Sequence, residues 1–395
     1  MSASVFQMVG ILVACGGAGA GLVLRDPRLR YAAVGIGLAG ALALIAGEVW
    51  DQERFEDLRS QPGVIILGLL LAGVALGATA VTFERVPAAF AMSAFAVLPL
   101  RVPVRVGDET NFLLVPLYGV IAGGWLRALL VMYRGRGADL QQAGSPRADE
   151  SPVSRWLCWA LAAALVAYGL GVAWSEDVDN AIRTVAFFLT PFAALLTLLR
   201  DLRWHRKLLG QVLLATVLVA VAFGAIALYQ HFTRDLLLNK DLKDANQLHQ
   251  YFRVNSLFRD PNVLGRYLVF AIVAMAGWIA WRRPTRAALA GFAVCGVLLA
   301  ALAFTYSQTS FAALIAGLAV LLWFRLGVPG LAFALGICAA GTIAVAIAGG
   351  PPDDAVGREQ DLAEVSSGRT SLISGGKELF LDQPLVGQGS GAFAI

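Results

Sequence analysis

The sequence predicts an all-α polytopic membrane protein with about twelve transmembrane helices and two extracytoplasmic segments that contain short helices. Of the 395 residues, 58% are hydrophobic and only 15% are charged, so the chain cannot cover a soluble core with polar surface. The mean hydropathy of +0.70 agrees with this. The apolar residues also come in uncharged runs of about 17–24 residues, the length that a helix needs to cross the hydrocarbon core of a bilayer.

The predicted spans follow one another along almost the whole chain. The fourth is short and begins at Pro87, so its length is also compatible with a re-entrant segment. Gly17 and Gly21 form a GxxxG pattern, which suits close packing of two helices. The spans are predicted at about residues 4–24, 31–49, 63–83, 87–100, 111–133, 156–174, 181–199, 208–230, 264–281, 287–304, 310–324 and 328–349.

Basic residues in the short loops predict the orientation, because cytoplasmic loops are enriched in lysine and arginine. If the spans alternate, four basic clusters fall on one side, which we expect to be cytoplasmic; they are Arg25/Arg28/Arg30, Arg134/Arg136, Arg200/Arg203/Arg206/Lys207 and Arg282/Arg283/Arg286. The N-terminus then faces the periplasm, as do the stretches at about 232–263 and 350–395. The predicted location is the bacterial inner (cytoplasmic) membrane, with an active site facing the periplasm.

This topology divides the chain into four segments. Residues 1–231 and 264–349 hold the transmembrane helices, and residues 232–263 form an extracytoplasmic loop with an amphipathic helix. The apolar face of that helix recurs at spacings of three and four and contains Leu238, Leu242, Ala245, Leu248 and Phe252. Such a helix either lies in the headgroup plane of the membrane or packs, solvated, on the bundle. Residues 350–395 are the start of a large extracytoplasmic loop that breaks off, so we expect the sequence to be incomplete at its C-terminus.

Charge and composition argue against several other classes. The net charge of +4 has no Lys/Arg block typical of nucleic-acid binding, so we expect no nucleic-acid partner and assign the charge to loops anchored at the membrane. The four cysteines lie far apart inside apolar runs and are predicted to be free thiols. The three histidines have no second ligand at metal-binding spacing, so we expect no metal and no cofactor.

Arginines are dense in the first predicted extracytoplasmic segment. Arg253, Arg259 and Arg266 flank a helix that is predicted to start near Asn262. The backbone N–H groups of a helix N-terminus bind anions, and a guanidinium group binds phosphate oxygens in pairs without losing its charge. These positions predict a pyrophosphate-binding site at the membrane surface.

The second extracytoplasmic segment carries a similar pattern. Ser366, Ser367 and Gly368 precede Arg369, as in a turn that leads into a short helix, and an N-cap serine beside an arginine also suits an anion. Arg358 and Lys377 add further positive charge to this segment. The later Gly387–Gly391 stretch reads G-x-G-S-G, but no strand precedes it and no Lys-Ser/Thr follows, so nucleotide binding is disfavoured.

The stretch Arg253–Tyr267 resembles the signature R-x-x-S-x-F-x-(D/N)-P-N-x-x-G-x-(Y/F) of the O-antigen ligase and O-antigen polymerase superfamily. Other stretches are similar to segments of the same proteins: Thr305–Ser310, Ser366–Arg369, Pro384–Gly391, Leu98–Pro103 and Asn111–Leu114. The resemblance covers most of the chain, and its specific motifs lie in residues 253–267 and 366–391.

The resemblance implies a metal-independent, inverting glycosyltransferase that acts at the periplasmic face. The donor would be a glycan on undecaprenyl diphosphate, and the acceptor a lipid A–core sugar (ligase) or another lipid-linked glycan (polymerase), with membrane lipid around both. Arg253 and Arg369 would take the places of the two essential arginines that stabilise leaving-group charge. We expect the residues that bind the substrate to be Arg259, Asn262, Arg266 and Ser367. The catalytic histidine of the family lies after the G-x-G-S-G stretch, beyond Ile395, so the sequence as given is expected to lack it and its own activity is in doubt.

A different class stays open beside the enzyme. A lipid-linked oligosaccharide flippase, or another secondary transporter, also has about twelve spans and cationic sites for lipid phosphates. A transporter should carry an internal repeat of its spans and ionisable residues inside them. The sequence has no evident repeat, and most of its arginines fall in loops, which favours chemistry at the outer surface.

Overall fold

The computed structural model describes residues 4–50, 61–106, 109–134, 152–236, 252–281, 285–329, 336, 369–384, 387 and 389–391. The predicted amphipathic helix before Phe252 and most of the predicted span at 328–349 lie outside these residues. So do Arg358, Ser366 and Ser367.

Helices make up most of the described chain. They are α1 (Val5–Val23), α2 (Pro27–Trp50), α3 (Pro62–Arg85), α4 (Pro87–Val97), α5 (Val115–Tyr133), α6 (Pro152–Leu170), α7 (Val178–Thr184), α8 (Thr190–Arg200), α9 (Arg206–Thr233), α10 (Pro261–Ala280), α11 (Arg286–Ala303), α12 (Gln308–Leu326) and α13 (Arg369–Asp382). A 3-10 turn (Gly171–Trp174) prolongs α6, and a π-helical segment (Val185–Leu189) joins α7 to α8. Strands β1 (Val102–Val106) and β2 (Glu109–Leu113) form an antiparallel hairpin in which Val102 pairs with Leu113.

Within the described ranges, ten helical segments are long and apolar enough to cross a membrane, and each overlaps a predicted span. Their outer faces are apolar too: on α3, Leu69 is 68% exposed and Val74 is 71% exposed. Lipid, and not water, suits such a surface. The prediction of a helical, multi-pass membrane protein is therefore confirmed. Helix α4, with 11 residues, is shorter than a span, in line with the short fourth prediction.

The fifth predicted span, at 111–133, begins four residues too early. Its first residues belong to strand β2, and α5 begins only at Val115. Pro116 lies in the first turn of α5, where its missing N–H costs nothing and its fixed φ favours the start of a helix. The alternating valines of β1 favour an extended backbone, which adds a hairpin to an otherwise helical chain.

The chain divides into two compact units, which are described separately. Unit 1 contains Met1–His205 and Gly368–Ile395, and unit 2 contains Arg206–Ser367. In unit 1, α1 and α2 pack backbone against backbone at Gly17 and Gly37. A Cβ atom on Gly17 would lie 2.5 Å from the backbone nitrogen of Gly37, so only glycine permits this approach.

A proline accounts for the π-helical segment of unit 1. Pro191 has no N–H to donate to the carbonyl of Phe187, four residues earlier. The Tyr118 hydroxyl of α5 donates to that carbonyl instead, with a distance of 2.9 Å between the oxygens. The wider turn thus exchanges a bond within the helix for one between helices.

Unit 2 has its core among α9, α10, α11 and α12. Its buried residues include Phe223, Leu264, Leu268, Leu298 and Leu302. The ring of Phe258, from the loop before α10, lies 5.1 Å from the ring of Phe223, measured between centroids. This aromatic contact fixes the loop Phe252–Asp260 onto the bundle, and that loop carries the first half of the signature.

Candidate functional site

The N-terminus of α10 organises the site. Asp260 is the N-cap: one of its carboxylate oxygens accepts a hydrogen bond of 2.8 Å from the backbone N–H of Asn262. Pro261 occupies the first helical position, which needs no N–H. The sequence Asp-Pro-Asn therefore starts the helix sharply, and it places the side chain of Asn262 in the first turn.

The Arg253 side chain is held against that first turn. Its Nε donates to the carbonyl of Thr305 at 3.1 Å, and its Nη2 donates to Oδ1 of Asn262 at 3.3 Å. The side chain is half-buried. A fixed guanidinium thus lies beside the positive end of a helix, and both features attract an anion.

A buried hydrogen-bond network shapes the loop that carries Arg253. The Gln230 side chain makes two bonds to the backbone of Ser256: Nε2 donates to the carbonyl at 2.9 Å, and Oε1 accepts from the N–H at 2.8 Å. The N–H of Val254 donates to the carbonyl of Phe304 at 3.1 Å. Ser256 has a φ of +53°, a left-handed conformation that is strained for a residue with a Cβ atom. The two bonds from Gln230 hold Ser256 in this conformation.

Two polar atoms under this loop have no hydrogen-bond partner within the described part of the protein. They are Oδ1 of Asn255 and Oγ of Ser256, and both residues are fully buried. Burying such a group without a partner costs about 1–3 kcal/mol. The loop that carries Arg253 therefore contains two buried polar atoms without a described partner, and one residue, Ser256, with a strained backbone.

The segment Thr305–Ser310 packs against the start of α10 and supplies the carbonyl group that binds Arg253. Oγ of Ser307 and Oγ of Ser310 are 2.8 Å apart, within hydrogen-bond distance. A Cβ atom on Gly265 would lie 2.5 Å from Oγ of Ser310, so the glycine of the signature allows α10 to approach the start of α12. Two of the stretches that carry the resemblance thus pack directly on each other in unit 2.

The other predicted site residues stand apart from this contact. Arg259 is exposed in the turn before Asp260, and Arg266 is exposed one turn after Asn262 on α10. Arg369 is the first residue of α13, and its side chain lies outside the described atoms, as does all of Ser367. The structure therefore brings Arg253 and Asn262 together and leaves Arg259 and Arg266 on the surrounding surface. With Asp260, the three arginines of this loop and helix give a net charge of +2.

Sequence reasoning missed Gln230 and the capping role of Asp260. Gln230 is a fully buried amide near the end of an otherwise apolar helix. A polar side chain inside a span is costly unless it has a hydrogen-bond partner, so Gln230 in the sequence could have indicated a buried hydrogen bond. Its partners are backbone groups 26 residues away, and no side-chain pattern indicates those.

In unit 1, residues Gly389–Gly391 dock on the corner between α6 and α7. The Ser390 N–H donates to the carbonyl of Gly171 at 3.1 Å, and the Asn180 side chain donates to the carbonyl of Gly391 at 2.8 Å. Gly389 has a φ of +90°, and a Cβ there would lie 2.5 Å from Cα of Ser175. Close backbone packing therefore explains Gly389, and it also explains Gly391, where a Cβ atom would lie 2.6 Å from the backbone nitrogen of Ala181.

Histidine, cysteine and carboxylate side chains are the usual ligands of a protein-bound metal ion. No group of three His, Cys, Asp or Glu side chains that could hold a metal ion occurs among the described residues. The His231 ring stacks on Phe304, with 3.6 Å between the ring centroids. Metal independence remains a prediction about the reaction.

In comparisons with known proteins, no protein-family model, no curated protein and no solved structure matches the chain. The resemblance to the O-antigen ligase and polymerase superfamily therefore depends on the motif residues quoted above.

Proposed function

We propose that this protein is an inner-membrane glycosyltransferase of the O-antigen ligase/polymerase type. It transfers a glycan from undecaprenyl diphosphate to a sugar hydroxyl on the periplasmic face, without a metal ion. The observation that carries the proposal is the position of Arg253, whose guanidinium is held by Thr305 and Asn262 at the N-terminus of α10.

The chemistry requires stabilisation of a leaving group. An acceptor hydroxyl attacks the anomeric carbon and gives its proton to a general base, a task that the resemblance assigns to the histidine after the G-x-G-S-G stretch. The bond from that carbon to the diphosphate oxygen breaks, and undecaprenyl diphosphate departs with the extra negative charge. A fixed guanidinium and the positive end of a helix stabilise this charge, and they need no reorganisation as it forms. Arg259 and Arg266 on the surrounding surface attract the diphosphate to the site.

The resemblance assigns a similar task to Arg369. This residue begins α13, so its own N–H belongs to a second helix N-terminus. The resemblance also requires a catalytic histidine after the G-x-G-S-G stretch. The proposal for the described residues therefore depends on Arg253, and Arg369 is tested in parallel.

A transfer assay separates this function from lipid transport. The full-length protein is reconstituted in liposomes with a radiolabelled glycan on undecaprenyl diphosphate, and with either lipid A–core or more lipid-linked glycan as the acceptor. We expect labelled glycan on one acceptor, free undecaprenyl diphosphate as the second product, and unchanged activity in EDTA. A labelled lipid that crosses the bilayer with its glycan intact and no transfer product would favour the flippase. Activity that EDTA abolishes and Mg²⁺ or Mn²⁺ restores would contradict the metal-independent mechanism.

A further inference from the structure

A polar cavity lies within unit 1, and the proposed transfer chemistry does not use it. Its volume is about 400 Å³, within the roughly 300–1,000 Å³ of small-molecule sites. We call it the loop cavity. Its lining includes Tyr168, Trp174, Asn180 and Thr184 on one side, and on the other the loop residues Gly387, Gly389, Ser390 and Gly391.

The loop cavity is built by close backbone packing. Three groups fasten the loop at Ser390: its N–H donates to Gly171, its Oγ donates to the Tyr168 carbonyl at 2.5 Å, and its carbonyl accepts from Oγ of Ser175 at 2.5 Å. Ser390 is only 8% exposed. A Cβ atom on Gly391 would lie 2.6 Å from the backbone nitrogen of Ala181, so the loop can dock this closely only with glycine there.

The lining has the chemistry of a sugar site. The hydroxyl groups of Tyr168 and Thr184 are hydrogen-bonded to each other, and the side-chain N–H of Asn180 donates to the carbonyl of Gly391. Each of these groups has further donor or acceptor capacity, which the hydroxyls of a sugar can use. The Trp174 side chain is 45% exposed, and the negative face of its indole can receive the C–H groups of a sugar ring. The described lining carries no charged side chain, which disfavours phosphate or carboxylate ligands.

We propose that the loop cavity binds a neutral sugar ring, with Trp174 under the ring and Thr184 bonded to a hydroxyl. The identification of this sugar as part of a glycan substrate depends on the proposed function, whereas the binding itself does not. The ligand class is a neutral pyranoside.

Saturation-transfer NMR tests this proposal directly. The full chain is placed in lipid nanodiscs, because sugar-headed detergents would compete, and the probes are methyl β-galactoside and the methyl β-glycoside of N-acetylglucosamine. The variants are Trp174→Ala and Thr184→Val, the second of which removes a hydroxyl at nearly constant volume. Trp204→Ala is the matched control, because Trp204 is a half-exposed tryptophan of unit 1 outside the cavity lining.

We expect saturation transfer to at least one of the two glycosides. Trp174→Ala and Thr184→Val should each weaken its binding about tenfold, the equivalent of roughly 1.4 kcal/mol, and Trp204→Ala should leave it unchanged. Absence of transfer to both glycosides in the parent protein would overturn the proposal. Equal binding by the parent and the Thr184→Val variant would do the same, even if Trp174→Ala failed to fold.

The two proposals fail in different ways. Sugar binding without any glycan transfer would retain the site and remove the proposed function. If the Trp174→Ala and Thr184→Val variants bind glycosides as the parent does and the protein transfers glycan, the proposed function is retained and this sugar site is ruled out. An Arg253→Ala variant should lose transfer and keep glycoside binding, because Arg253 is not among the residues that line the loop cavity.

Discussion

Gly265 illustrates how packing decides a single position of the signature. It lies on α10 where the start of α12 comes closest, and a Cβ atom there would meet Oγ of Ser310 at 2.5 Å and Cβ of Ser307 at 3.3 Å. Ser307 and Ser310 are both buried and within hydrogen-bond distance of each other, so neither has room to move. The glycine therefore allows α10 to pack closely on the segment Thr305–Ser310, whose Thr305 carbonyl accepts a hydrogen bond from Arg253.

We predict that Gly265→Ala destabilises the protein by about 1–3 kcal/mol, the usual cost of overpacking a core. Gly277→Ala on the same helix is the control. Its Cβ would lie 3.6 Å from Cδ2 of Leu321, an ordinary contact, and alanine favours a helix by up to about 1 kcal/mol. Apparent melting temperatures in one detergent measure both effects. A Gly265→Ala protein that melts at or above the parent temperature would refute the packing argument.

Residue-level prediction from sequence located the start of α10: a helix was expected near Asn262, and α10 begins at Pro261. Anion binding by the arginines around it stays a prediction, but their nearness to this helix start was within reach of the sequence. The two bonds between Gln230 and Ser256 were not, because they join backbone to side chain across 26 residues. The role of the Gly387–Gly391 loop was also hidden, since glycine spacing does not show which backbone it packs on.

Between elements, a buried ion pair joins the start of α2 to the end of α8. Arg30 is 2% exposed and bonds to both carboxylate oxygens of Asp201, and the Tyr31 hydroxyl donates to the same carboxylate at 2.5 Å. Asp201 caps the C-terminus of α8, where a negative charge opposes the helix dipole. The pair with Arg30 explains why an aspartate is nevertheless stable there.

We predict that Asp201→Asn lowers the free energy of unfolding by about 3–5 kcal/mol, because the Arg30 charge stays buried without its carboxylate. Glu84→Gln is the control, since Glu84 pairs with Arg134, whose side chain is 49% exposed. Solvent around Arg134 screens this pair, although Glu84 itself is only 14% exposed, so the pair should be worth about 1 kcal/mol. Unfolding by graded SDS addition compares the two variants. Equal losses in the free energy of unfolding would show that burial does not increase the contribution of the ion pair to stability.

Element prediction worked best for the spans and least well near prolines. Uncharged runs of membrane length located ten helical segments, because the bilayer imposes a minimum length on each. The hairpin Val102–Leu113 escaped because its last residues, Asn111–Leu113, run without a charge into the span that follows. Hydropathy alone cannot tell a short strand from the first turn of a helix, and only Pro116 marks the boundary.

At the scale of the whole molecule, the basic loops predict which side of the membrane each segment faces. Cysteines introduced at Asn239 and at Ser367 should react with an impermeant thiol reagent in intact spheroplasts, and one at Ala287 should not. The described native cysteines are buried, so background labelling from them should be low. Labelling of only one of the first two positions would contradict the predicted topology.

The central claim is that the Arg253 guanidinium binds the diphosphate of the donor. The rate of glycan transfer by Arg253 variants tests this claim most directly. A guanidinium bonds through several fixed N–H groups, which the point charge of lysine cannot replace. Arg253→Lys should therefore fail nearly as badly as Arg253→Ala, and the Arg369 variants should behave in the same way. One charge-assisted donor in a water-excluded site is worth roughly 3–4 kcal/mol, or about 10²–10³ in rate.

The measurement is the initial rate of glycan transfer by the full-length protein in liposomes, with the folding of each variant checked by its melting temperature. Arg358→Ala, outside the matching motif, is the comparison and should retain most of the activity. The account predicts a loss of about 10²–10³ for both Arg253 variants. Near-normal transfer by a well-folded Arg253→Ala protein would contradict it.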